Sequence, residues 1–482
     1  MSSIKKSVDK YFKPDLKKAR KRLSDTTEKV LFESVQEHKT LGTNKFYNVQ
    51  TYGCQGNEAD SETICGIMES LGFTRNEDAT KCDVVILNTC AIRENAENRI
   101  WGVLGNLKHP KRLNPNMVIG ICGCMPQEEN VVDKILQKYR EVNLVFGTHN
   151  IYKLPEYILE LSKNEGKVIE VFSEEGKIIE NLPKIRNNTH KAWVNIMYGC
   201  DEFCTYCIVP YTRGKERSRD KDDIINEVKR LVENGYQEIT LLGQNVNAFG
   251  KDRKDGYTFG DLLKDLDETG IPRIRYTTSH PRDLDDLTIE AMATCKSVMP
   301  HIHLPVQSGD TEILRKMNRK YTYEEYMILI NKLKKSIPSI AITTDIIVGF
   351  PNESVEQFEN TLKLVDEVQY EGAFTFVYSR REGTPAAKYD DTVSEDEKSE
   401  RLQILNKKIN DGYLKGNERF LNKIVKVLVD GSSAKNDEKL CGYSEHMKLV
   451  NFEGEKELIG KIVSVRITEV KTWSMVGEIV NE

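Results

Sequence analysis

The chain has 482 residues, 39% hydrophobic and 30% charged, with a net charge of −5. That length implies several domains, and the composition excludes a disordered or collagen-like chain. No apolar run approaches the ~18 residues that cross a bilayer. The opening MSSIKKSVDKYFKPDLKKARKR also lacks a signal-peptide core, so a cytoplasmic protein with no membrane partner is expected.

Residues 1–43 read as a charged N-terminal arm. Nine Lys/Arg stand against two Asp in the first 22 positions, a pattern suited to phosphates or to a solvated tail. Residues 44–150 alternate short apolar runs with helical stretches. FYNVQTYG, CDVVILNTC, MVIGICGC and NLVFG predict a parallel sheet with crossover helices, an α/β domain. Residues 151–185 read as a polar linker. Over 186–416 the alternation resumes with AWVNIMYG, EITLL, RIRYTTS, HIHLPV, IAITTDIIVGF and AFTFVYS. Six βα units predict an open, partial (β/α)6 barrel, since a closed one needs eight. Over 417–482 short strands with turns between them predict a small β-barrel.

The chain holds eleven cysteines. In a reducing compartment they point to metal ligation rather than to disulfides. Cys200, Cys204 and Cys207 form C-x3-C-x2-C at the C-terminal end of the first barrel strand, the edge where ligands bind. Three thiolates without a fourth Cys or a nearby His favour an iron–sulfur cluster with one open iron over structural zinc, which wants four ligands. Cys54, Cys90 and Cys124 each follow a predicted strand of the first sheet. Parallel strands align such ends, so a second three-thiolate site is expected there, with ordinary buried thiols as the alternative. Cys122 reads as a buried strand residue, and Cys65, Cys82, Cys295 and Cys441 read as small buried hydrophobes.

The triplet in MYGCDEFCTYCIVPYTRGKERSR resembles the radical S-adenosylmethionine (SAM) superfamily. TYGCQGNEADSE, NTCAIRENAENR and GCMPQEE resemble the three cysteine segments of the methylthiotransferase family. LLGQNVNAFG, HIHLPVQSGD, TDIIVGFPNES and FTFVYSRREGTPA extend that likeness, and the tail resembles the TRAM domain, an RNA-binding module. The family departs here at Cys122 and at Gly56, where Met is commoner.

The resemblance implies two [4Fe-4S] clusters. Cys200, Cys204 and Cys207 would hold the SAM-binding one, and Cys54, Cys90 and Cys124 an auxiliary one that carries sulfur. It implies methylthiolation of adenine C2 in N6-isopentenyladenosine at position 37 of tRNA, with SAM as methyl donor and radical source. An external electron donor and an unidentified sulfur source are then needed, and a monomer is expected. Relatives that act on threonylcarbamoyladenosine in tRNA or on a ribosomal-protein aspartate are the nearer alternative; a non-catalytic iron–sulfur RNA-binding protein or sensor is the more distant one. Gln307, Ser308 and Asp345 are candidate SAM or substrate contacts at strand ends. Arg213, Lys215 and Arg217 are candidate RNA contacts, with Lys426, Arg466 and Lys471 in the tail. Trp473 is read as core of the small barrel.

Overall fold

The computed structural model describes residues 3–6, 28–33, 36–91, 94–164, 166–171, 177–433 and 436–480. Most of the arm expected over 1–43 lies outside them. The first sheet is built on Val84–Thr89 and Val118–Gly123, buried along their whole length. Such runs, rich in Val and Ile, need apolar cover on both faces. One face packs on Ile64, Ile67 and Met68 of the helix Gln55–Ser70, the other on Ile100, Leu104 and Leu107 of the helix Glu94–Leu113. The seven strands run in the order Ser3–Lys6, Gly166–Glu170, Leu144–Phe146, Val118–Gly123, Val84–Thr89, Phe46–Tyr52, Thr74–Arg75, all parallel.

Within the expected linker over 151–185, the described residues form regular elements. The helix Leu154–Lys163 buries Leu154, Pro155, Tyr157 and Ile158, and Gly166–Glu170 joins the sheet beside Leu144–Phe146. The strand Lys177–Glu180 follows and pairs with Glu28–Leu31. A polar surface face on each element disguised a buried apolar one.

The central region holds six parallel strands in two groups of three. Lys191–Asn195, Glu238–Leu242 and Arg273–Tyr276 form one; His301–His303, Ala341–Val348 and Ala373–Val377 form the other. A bridge between Ile274 and Val298 joins them. Ile239, Leu241, Ile274, Ile302, Ile342 and Ile346 pack with residues of the surrounding helices such as Leu262, Ile330 and Val365. Because side chains alternate, Thr240, Arg275, His303 and Asp345 face the opposite side, the barrel lumen. Lys191–Asn195 and Ala373–Val377 do not pair with each other, so the barrel stays open between them.

The tail closes a five-stranded barrel in the order Ile424–Ser433, Asn436–Ser444, Leu449–Glu453, Met475–Ile479, Ile462–Val470. Val427, Val429, Leu440, Phe452 and Ile467 fill it. It docks on the N-terminal ends of the central strands. Arg273 donates to the carbonyls of Tyr443 (2.9 Å) and Lys426 (2.8 Å). Arg275 donates to Ser444 (2.7 Å) and Glu445 (3.1 Å) and pairs with Glu238 (2.8 Å). Trp473 is not core. It is 63% exposed beside Tyr413, because the turn that carries it leaves the barrel wall.

Candidate active site

Each cysteine of the first trio sits where a strand of the first sheet ends. Backbone bonds fix those ends together: Cys90 N–H donates to Tyr52 O (2.9 Å), and Cys124 N–H donates to Thr89 O (2.8 Å). Gly123 is required at this crossing. Its φ is +98°, and a Cβ there would lie 2.2 Å from Thr89 O. A buried amide pair locks the other junction. Asn57 Nδ2 donates to Asn88 Oδ1 (3.0 Å), and Asn88 Nδ2 donates to Asn57 O (2.8 Å) and Ser61 (2.9 Å). Asn57 Oδ1 in turn accepts from Cys54 N–H at 3.3 Å.

The three cysteines converge on this edge, Cys54 beside Cys90 and Arg213 beside both Cys54 and Cys124. A hydrogen bond with Cys90 and the charge of Arg213 pull the Cys54 thiol well below its ordinary pKa against burial. Burial pushes Cys124 up, opposed by Arg213. Arg213 Nε donates to Cys124 Sγ (3.2 Å), and its Nη2 pairs with Asp60 (2.9 Å). Cys122 is fully buried in the core with Val84 and Ile86, where burial and the nearby Asp60 and Cys124 push its thiol well above its ordinary pKa.

The second trio lies on a loop that the barrel sews down. Cys200 N–H donates to Gly214 O (3.0 Å) and Cys207 N–H to Cys204 O (3.0 Å). Asn318 Nδ2 holds the carbonyls of Glu202 (3.1 Å) and Phe203 (2.9 Å), and Phe203 takes a left-handed φ of 48°. Arg319 Nη1 donates to Cys204 Sγ (3.4 Å) while its Nη2 is fixed on Pro305 O (2.8 Å). Burial pushes the Cys207 thiol up to about 12 and raises Cys200 well above its ordinary value. Buried thiols of that kind become thiolates only beside a cation such as a metal centre.

One short element joins the two trios. The helix Val209–Thr212 begins two residues after Cys207 and leads directly into Arg213. Ile208 and Tyr211 pack on Cys124 and Ala91. Five residues, mostly helical, separate Cys207 from the arginine that touches Cys124, a path of roughly 10–15 Å. In each trio one cysteine is partly exposed as a residue, Cys54 and Cys207, and the other two are buried. A cavity of about 630 Å³ lies on the far flank of Arg213, bounded by Asp60, Tyr198, Arg219 and Glu227.

Among the described residues, neither trio brings its three sulfurs within 4.8 Å of one another. Structural zinc wants four ligands, so a set of three thiolates suits an iron–sulfur cluster with one open iron rather than one zinc ion. The tight set that does exist, Glu202, His280 and Asp283, is a poor cation site. Arg282 reaches both carboxylates and Lys251 pairs with Asp283 at 2.5 Å, so its charge is already matched.

Other expected contacts fall in different places. Arg213, read as an RNA contact, is buried against sulfur and carboxylate; its partner Asp60 lies 153 positions away in sequence. Arg217 is 3% exposed and donates to Lys215 O (2.9 Å), which leaves only half-exposed Lys215 of that group facing solvent. Ser308 Oγ sits 3.4 Å from Thr361 on the helix side. Gln307, left-handed at φ 74°, donates its N–H to Asp345 O (2.9 Å). Asp345 reaches the lumen beside His303 (3.3 Å). Lys426 and Arg466 are exposed on adjacent strands as diagonal neighbours, and Lys471 pairs with Glu469 (3.3 Å). Arg319 and Asn57 escaped the sequence reading, although ILRKMNRKYT and TYGCQGNEADSE contain them.

Comparison with known proteins agrees with this layout. The family model "Radical SAM superfamily" matches residues 194–365, "Uncharacterized protein family UPF0004" matches 46–147, and "TRAM domain" matches 418–480. A Staphylococcus haemolyticus (strain JCSC1435) protein, tRNA-2-methylthio-N(6)-dimethylallyladenosine synthase, is 54% identical over 481 residues, covering 98% of this chain and 94% of its own. The Bacillus subtilis (strain 168) protein of that name is 54% identical over 484 residues, covering 99% and 95%. Among solved structures, a radical S-adenosylmethionine methyltransferase from Kitasatospora setae shares the fold, with a TM-score of 0.51 at 12% identity over 69% of this chain and 72% of its own.

Proposed function

The chain belongs to the family of tRNA-2-methylthio-N(6)-dimethylallyladenosine synthases, and on that premise we propose that its two cysteine trios are the paired cluster sites of a tRNA methylthiotransferase. The reaction replaces one C–H bond of an adenine by C–S–CH3, so methyl, sulfur and electrons must all be brought in. The radical SAM match implies SAM and a [4Fe-4S] cluster, which together supply one-electron chemistry for breaking an unactivated C–H bond.

The chain's own residues hold, orient and shield. Cys200, Cys204 and Cys207 hold the SAM-binding cluster, and Arg319 fixes Cys204 by its hydrogen bond to sulfur. Cys54, Cys90 and Cys124 hold the second cluster, with Arg213 bound to Cys124 and anchored on Asp60. Burial of four of the six cysteines excludes water from both sites. An external electron donor and a sulfur source complete the requirement. The exposed Lys426, Arg466 and Trp473 offer cations and an aromatic face to the RNA, a surface suited to backbone and base contact. An unpaired loop base can leave its stack for such a pocket at low cost.

The single observation that carries the proposal is the junction at Val209–Thr212, where Ile208 and Tyr211 pack with Cys124 and Ala91; it supports a reaction in which sulfur, radical and C–H bond must meet. Two variants test it. Cys204→Ala should abolish SAM cleavage. Cys90→Ala should keep SAM cleavage, retain about half the iron and sulfide, and yield no methylthiolated nucleoside by mass spectrometry. Full methylthiolation by Cys90→Ala rules the second site out.

A further inference from the structure

Thr205 stands between Cys204 and Cys207, and three bonds tie it to two other segments. Its N–H donates to Met317 O (3.0 Å), its hydroxyl donates to Lys316 O (2.9 Å), and its carbonyl accepts from Ala386 N–H (2.8 Å). Met317, Phe350, Tyr378 and Ala386 form one buried apolar cluster there, with Tyr206 packed against it. Both segments carry cations into solvent. Lys316 and Lys320 are exposed at and just past the end of the helix Thr311–Lys316, and Arg380 and Lys388 are exposed on either side of Ala386. No ion pair among the described residues neutralises any of the four. Tyr389, next to Lys388, is 38% exposed and meets Phe350 edge-on (6.2 Å between centroids).

Such a surplus is out of character for a chain of net charge −5. It also lies close to sulfur. One hydrogen bond and one residue separate Lys316 O from the Cys204 backbone, a path within ~10 Å. Electron transfer weakens steeply with distance, so a donor gains most by seating itself here. An acidic donor, repelled by the molecule as a whole, is steered to the place where the local charge is positive. A protein fits this face better than RNA does. Glu312, paired with Arg315, and Glu382, which accepts from Asn130 (3.4 Å), lie among the cations. Mixed signs fix the register of a protein but repel a phosphate chain, and exposed Tyr and Arg are favoured at protein interfaces.

We propose that the face built on Lys316, Lys320, Arg380 and Lys388 docks a small acidic protein that carries a one-electron centre and reduces the cluster held by Cys200, Cys204 and Cys207. This rests on the cluster reading given above. In each encounter the carrier is oxidised by one electron and the cluster is reduced by one; no bond forms or breaks, and no proton moves. A brief contact of small area is enough for that exchange.

The probe is a purified, fully reduced flavodoxin, with dithionite as a small reductant that needs no docking face. Each is mixed with cluster-loaded protein and SAM in a stopped flow, and flavin oxidation or cluster bleaching is followed. In Lys316→Glu/Lys320→Glu/Lys388→Glu the second-order rate with flavodoxin should fall at least about tenfold and lose its dependence on salt. Binding of labelled flavodoxin, read by anisotropy, should weaken by a similar factor. The rate with dithionite and the affinity for an anticodon stem-loop RNA should stay within about twofold of wild type. Lys138→Glu/Arg140→Glu, a charge reversal on the first domain, should leave the flavodoxin rate equally unmoved. Iron content and thermal melting verify that the exposed substitutions leave the fold intact. A triple variant with the wild-type flavodoxin rate overturns the docking face, and one that loses RNA affinity while keeping that rate assigns the face to RNA instead. Wild-type protein that dithionite does not bleach overturns the cluster reading itself.

Discussion

Arg213 illustrates how a charged residue changes meaning when its partners are known. In the sequence it belongs to a basic run that suits phosphates. In the fold it is buried between Cys124 and Asp60, whose carboxyl burial pushes up and Arg213 holds down. Removing one member of a buried ion pair leaves the other charge stranded, at a cost of about 3–5 kcal/mol. Arg213→Ala should therefore lower the urea stability of the chain by that order and strip the iron of the Cys54–Cys90–Cys124 site, while iron at Cys200–Cys204–Cys207 persists. Arg213→Lys should recover only part of either quantity, because one ammonium cannot serve sulfur and carboxylate from fixed fork positions. An Arg213→Ala protein with full iron and unchanged stability contradicts the clamp. The six cysteines were legible because spacing and strand-end position are local signals. Arg213's partners were not, because Asp60 and Cys124 come from another sheet far back in the chain.

The same division holds among elements. The long apolar runs around Val84–Thr89, Val118–Gly123 and Ala341–Val348 announced themselves, as did the absence of two further βα units. The segment 151–185 did not. Gly166–Glu170 offers only Val168 and Ile169 to the core, too few to read as a strand, although Pro155 at the first turn of Leu154–Lys163 was an available helix-start signal. That segment is tied down by charge. Glu227 receives Lys184 (2.6 Å), Arg186 (2.8 Å) and Arg219 (2.8 Å), and Arg219 also grips Glu180 (2.7 Å). Burial pushes the Glu227 carboxyl up, but Lys184, Arg219 and Arg186 together hold it well below the usual range. A carboxylate with a depressed folded pKa contributes its stability above about pH 4.5 and loses it as pH falls toward the folded value. Proteolysis within 177–186 should accelerate below about pH 4.5. Glu227→Gln should raise the cleavage rate at pH 7 and flatten its acid dependence; an unaltered acid dependence would sink the assignment.

At the scale of the whole molecule, a buried polar contact joins the central strands to the terminal barrel. Arg273, Arg275 and Glu238 are each under 6% exposed, and the two arginines donate to four carbonyls of the terminal barrel. Arg275→Ala should cost about 3–5 kcal/mol in unfolding experiments, because Glu238 and two carbonyls lose a charged donor. A loss under about 1 kcal/mol would mean that water replaces the guanidinium freely. Truncating the chain before residue 418 should likewise destabilise what remains, so such a deletion does not isolate RNA binding.

The terminal barrel grips the N-terminal ends of strands whose opposite ends carry the cysteine loop. The strand that leads to the cysteines, Lys191–Asn195, meets Asp430 of the terminal barrel through Lys191, and its five residues at about 3.3 Å each set an interval near 16 Å. A stem-loop clasped by the exposed cations would then have its reach gauged against a stiff spacer, as callipers gauge a rod. Slack introduced at Arg273 and Arg275 should show as misplaced modification of neighbouring loop adenosines before it shows as a slower enzyme.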